Sequence, residues 1–122
     1  MSVQEYIASI DRHLLDLAPV IVDSSIQRDI DVNLGIGFIK GRIRFLDGSV
    51  LDFSEQLPTT RKKYRFHYMD ANKGLIVRWD SAPHHKALAT HPYHRHTPEG
   101  VDSHPALTLL EALTQIEALL TI

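Results

Sequence analysis

"GFIKGRIRFLDGSVLDFSEQL", residues 37–57, alternates almost without a break. Ile39, Ile43, Phe45, Leu51, Phe53 and Leu57 carry odd numbers, whereas Lys40, Arg42, Arg44, Asp52 and Gln56 carry even ones. Side chains on a strand change face at every residue, so the stretch reads as two strands, each apolar on one side and charged on the other. For apolar to meet apolar across the hairpin, odd must pair with odd, which requires an odd loop length. A three-residue loop Leu46-Asp47-Gly48, with Gly48 left-handed, meets that condition. A two-residue Asp-Gly turn sets Ile43 against Asp52 and is rejected on register.

A second hairpin follows in "YRFHYMDANKGLIVRWDSA", residues 64–82. A four-residue loop, Ala71 to Gly74, sets Tyr68 against Val77 and Phe66 against Trp79 on an apolar face. The opposite face then holds Arg65 against Asp80, His67 against Arg78 and Met69 against Ile76. Helices flank the strands. Ser2 and Glu5 form a capping box ahead of Tyr6, Ile7, Ile10, Leu14 and Leu17, which predicts a helix over 3–18 stopped by Pro19. Thr108 and Glu111 form another ahead of Leu109, Leu110, Leu113, Ile116, Leu119 and Leu120, predicting a helix over 109–120. His13 reads as a boundary or surface residue. The fold expected is α+β: a curved antiparallel sheet of about five to six strands with an N-terminal and a C-terminal helix.

The 122 residues argue for one domain, 1–122, and 43% hydrophobic content suffices for a core. Thirteen basic and 15 acidic residues leave a net charge of −2, which is no global footprint for nucleic acid. "RKKYR" at 61–65 is the one local basic run, read as a solvated strand approach. Without cysteine, disulfides, thiolate metal sites and cysteine nucleophiles are excluded. The N-terminal segment lacks the apolar run of a secretory signal, and no stretch is long enough to span a bilayer, so the expected location is cytoplasmic, away from membranes.

The chemistry concentrates in "HHKALATHPYHRH", residues 84–96, which holds five of the eight histidines. Pro83, Pro92, Pro98 and Pro105 argue against a helix or a central strand, so 83–106 reads as an extended, histidine-rich loop. An imidazole titrates near neutrality, so a pocket holding several can supply a base and an acid together. Arg65 and Arg78 would clamp a phosphate, and Asp80 would orient a ring. These are the parts of a metal-independent phosphodiesterase acting on RNA. His84 or His85 is expected as base, His94 or His96 as acid, and His67 as support. The alternative is a non-enzymatic binding module whose loop holds a small ligand or a divalent transition metal, through His94, His96 and either His84 or His85. A plainer possibility is a loop stapled down by imidazole hydrogen bonds.

"YRFHYMDANKGLIVRWDSAPHH" followed by "THPYHRH" resembles the TumE-type family of small prokaryotic proteins, toxins of type II toxin–antitoxin pairs. Tyr64, Arg65, Phe66, His67 and Tyr68 match its first strand, and Leu75, Ile76, Arg78, Trp79 and Asp80 its second. Ala82, Pro83, His84 and His85 match the next element, and Pro92, His94 and His96 the last. Ser81, Tyr93 and Arg95 depart from the usual Asn, His and Lys. The resemblance covers roughly residues 25 to 120, and its specific part is the hairpin and loop. It implies growth inhibition and a small DNA-binding antitoxin as partner, and it names no catalytic residue. Whether the chain also forms a homodimer is left open.

Overall fold

Seven strands, not five or six, form the sheet in the computed structural model, which describes residues 1–122. Chain order is α1 (Val3–Leu17), β1 (Ile21–Asp31), β2 (Ile36–Phe45), β3 (Val50–Leu57), β4 (Tyr64–Met69), β5 (Leu75–Asp80), β6 (His94–Thr97), β7 (Gly100–Ser103) and α2 (Leu109–Leu119). Each strand pairs antiparallel with its sequence neighbour, so the sheet is an open meander running from β1 to β7. The extra strands are β6 and β7, within the stretch read as an extended loop. Its prolines bracket these strands instead of interrupting them: Pro92 precedes β6, and Pro98 sits in the turn closed by the Thr97–Gly100 pair. A proline there withdraws no ladder donor.

The first hairpin has the expected register, with Ile43 opposite Leu51 and Arg42 opposite Asp52. Gly48 is left-handed at φ +87°, as the three-residue loop requires. In the second hairpin Phe66 faces Trp79, Tyr68 faces Val77, Arg65 faces Asp80 and His67 faces Arg78, as expected. Met69 pairs with Leu75 and not with Ile76, because a register shift follows Tyr68. The Asp70 carboxylate accepts the backbone N–H groups of Asn72 and Gly74 at 2.9 and 2.8 Å, which closes a tighter loop than counting predicts.

Both capping boxes form, at Ser2–Glu5 and at Thr108–Glu111. α1 stops at Leu17 and passes through a 3-10 turn over Ala18–Val20 that contains Pro19. The helices cover the inner face of the sheet. Tyr6 and Ile10 of α1 and Leu109, Leu113 and Ile116 of α2 share one core with Ile39, Ile43, Leu51, Phe53, Phe66, Tyr68 and Trp79. Each large side chain buried this way stabilises the fold by about 1.5–3 kcal/mol. His13 lies at the helix–helix boundary, 3.4 Å from Glu117. No helix is long and apolar enough to cross a membrane. The outer face carries no helix, and the polar side chains of the strands collect there.

Candidate active site

Pairing across the sheet arranges the outer face into rows. One row runs Lys40, Ser54, Arg65, Asp80, His94, and its neighbour runs Arg42, Asp52, His67, Arg78, His96. Same-face neighbours along a strand are two residues apart, about 7 Å. Asp80, Arg78, His94 and His96 are therefore four corners of one patch, built by β5 and β6. Expected as loop residues, His94 and His96 lie on a strand, and the strand's period points both rings the same way.

Asp80 is the anchor. It is buried, and its Oδ1 accepts the Ala82 N–H at 3.0 Å and lies 2.9 Å from His94 Nε2. Its Oδ2 is 3.2 Å from Arg78 Nε, an ion pair without hydrogen-bond alignment, and 3.8 Å from His96 Nε2. His94, only 2% exposed, donates from Nδ1 to the Pro92 carbonyl at 2.9 Å, because a carbonyl can only accept. Its Nε2 then faces the Asp80 carboxylate, and the two form a buried contact pair beneath the surface.

His96 differs. Arg78 Nη2 donates to its Nε2 at 3.1 Å, so that nitrogen carries a lone pair. Burial, then the Arg78 and His94 charges, hold His96 below the ordinary 6.5, so the ring is neutral at physiological pH. His67 is shifted the same way by burial and by the flanking Arg65 and Arg78, and Arg65 Nη2 lies 3.3 Å from its Nδ1.

The segment between β5 and β6 folds over this patch as a chain of tight turns, with backbone bonds from Leu88 to His85, His91 to Leu88 and Tyr93 to Thr90. Thr90 is its staple: its hydroxyl donates to the Tyr93 carbonyl at 2.5 Å and accepts the His104 N–H at 2.9 Å. Tyr93 stacks on Tyr64, with centroids 6.2 Å apart. His85 comes down onto the patch, its ring 4.7 Å from that of His94 and 5.5 Å from that of His96. His84 points elsewhere, exposed at the rim of a groove that also touches Arg65, Arg78 and Asp80. The structure thus gathers Asp80, Arg78, His85, His94 and His96 into one cluster. Arg65 and His67 adjoin it, and His84 stands outside.

The donor atoms of His85, His94 and His96 lie within 4.8 Å of one another, so this triad, with His85 and not His84, is the set able to hold a metal. A tetrahedral ion with bonds of about 2.0–2.1 Å needs its ligands roughly 3.3 Å apart, so the rings would have to close in. The Arg78 guanidinium already occupies the His96 lone pair and repels a cation.

Glu55 was not anticipated. It is buried on the inner face, and its oxygens accept from the Tyr6 hydroxyl at 2.5 Å and the Leu109 N–H at 3.1 Å. Burial pushes its carboxyl up to about 7 and raises the Tyr6 hydroxyl as well. The signal was present: Glu55 carries an odd number between Phe53 and Leu57.

A family model described as "Toxin TumE" matches residues 10–120. No curated protein and no solved structure matches the chain.

Proposed function

As the chain belongs to the TumE toxin family, we propose that it acts as a growth-inhibiting ribonuclease that cleaves RNA without a metal, and that its partner is an antitoxin protein. One observation carries this reading: the rings of His96 and His85 lie 5.5 Å apart over the buried Asp80–His94 pair, with Arg78 beside them. In this mechanism Arg78 swings from His96 Nε2 onto the phosphoryl oxygens, and the lone pair it frees on neutral His96 takes the proton of a ribose 2′-hydroxyl. The 2′-oxygen attacks phosphorus, the bond from phosphorus to the 5′-oxygen breaks, and protonated His85 gives that oxygen its proton. Arg78, with Arg65 next to it, stabilises the charge gathering on the phosphoryl oxygens. His94 is a positioning residue held by Asp80. The lowered His96 supports the base at 96 and the acid at 85, the reverse of the order expected from sequence.

RNA decay in the presence of chelator tests this, comparing wild type with His85→Asn, His96→Asn and the remote control Arg12→Ala. Loss of a general acid or base lowers the rate by about 10²–10⁴. Equal decay in all four samples sinks the mechanism.

A second reading, a binding module for a transition metal, rests on the convergence of His85, His94 and His96. Elemental analysis of untagged protein decides it: stoichiometric metal favours the module, and metal-free protein that still cleaves RNA removes it.

A further inference from the structure

A groove of about 1050 Å³ crosses the outer face and ends at the cluster, where Arg78, Asp80 and His84 line it. Lys40, Arg61, Lys63 and Arg65 line the rest. None of these four meets a carboxylate, although Arg28, Arg42, Arg44, Arg78 and Arg95 are each held by one. Most acids along the groove are engaged. Asp31 accepts the Leu34 N–H, Asp80 faces Arg78 and His94, and Glu55 is buried against Tyr6 and Leu109. Only Asp29, at the β1 end, has no such partner. The row from Lys40 to His94 crosses four strand spacings, about 19 Å. Two aromatic residues line the groove: Tyr64, which is buried, and Phe38, half-buried among these charges, with Lys40 Nζ 5.4 Å from its centroid.

We propose that this groove is the track for single-stranded RNA flanking the scissile phosphate, with Lys40, Arg61, Lys63 and Arg65 on successive phosphates and Phe38 stacking a base. The assignment rests on the ribonuclease reading for its direction, since the track leads into the proton-transfer cluster. Spaced cations beside a partly accessible aromatic ring are what an unpaired strand requires. An acidic protein segment would satisfy the cations but leaves Phe38 and the continuity with the histidines unused.

A fluorescent 12-nucleotide 2′-O-methyl RNA tests binding apart from cleavage, because its blocked 2′-oxygen cannot attack. Four phosphate contacts predict a log–log salt slope of about −3, so affinity falls roughly 50-fold between 50 and 200 mM salt. The triple variant Lys40→Ala/Arg61→Ala/Lys63→Ala should bind at least tenfold more weakly, with a slope near −1. Phe38→Ala should weaken binding about tenfold without changing the slope. Circular dichroism confirms that the variants are folded. Wild type that binds in this way supports the track even if it cleaves no RNA, which would sink the nuclease alone. Wild-type affinity in the triple variant, or no binding by wild type, overturns the track. So does a polyglutamate peptide that binds while the oligonucleotide does not.

Discussion

Glu55→Gln should make the protein more stable, and more so as pH rises. The buried carboxyl has a value of about 7 in the fold against 4.5 for a solvated glutamate. The fold therefore holds the proton more tightly than the unfolded chain does. Below about pH 4.5 both states are protonated and Glu55 contributes no penalty. As pH rises to about 7 the unfolded state gains from ionisation and the folded state does not, so stability falls. Each unit of pKa difference is about 1.4 kcal/mol, so the full loss above pH 7 is about 3 kcal/mol. Glutamine keeps the shape and one acceptor but cannot ionise. Urea unfolding of both proteins at pH 5 and pH 8.5 reads the effect. With an m-value of about 2 kcal/mol per molar, and with the unfolded glutamate already mostly ionised at pH 5, the midpoint advantage of the variant should grow by about 1.2 M between the two pH values. An equal offset at both pH values would show that burial does not tune Glu55.

Other expectations follow from the same geometry. Asp80→Asn leaves Arg78 and His94 without their shared carboxylate; stability should fall by about 3 kcal/mol in urea unfolding at pH 7. The pH profile of kcat/KM for RNA cleavage should rise through a midpoint below 6.5, since His96 acts as a base only when neutral and its environment lowers it; a midpoint above 7 contradicts the assignment. A Cβ on Gly41 would stand 2.3 Å from the Ser25 carbonyl. Gly41→Ala should therefore push β1 off β2, costing about 1–3 kcal/mol, with faster hydrogen exchange confined first to residues 21–31.

The hairpins were legible because each states its pairing twice, once in apolar parity and once in the turn. Gly48 and the run Ile43, Phe45, Leu51, Phe53 leave a single register that keeps charge off the core. The Met69–Leu75 pair escaped this logic because Asp70 folds its loop through side-chain bonds that parity does not see. β6 and β7 were hidden for another reason. His94, Arg95, His96 and Thr97 are polar on both faces, since Arg95 pairs with Asp102 on one side and the imidazoles meet Asp80 and Arg78 on the other. A strand without an apolar face has no period to detect, and nearby prolines dominate the reading. Within the candidate site, His94 and His96 stand two apart, a spacing that gives them a common direction once the chain is extended. Nothing in the spacing separates His85 from His84; the tight turns after Ala82 do that.

The meander gives its two surfaces largely separate tasks: helices and most apolar side chains on one, most ionisable groups on the other. Alternate residues along β4 and β5 therefore answer to different physical demands. A single substitution on the open surface changes a reagent there while the packed surface keeps the scaffold intact.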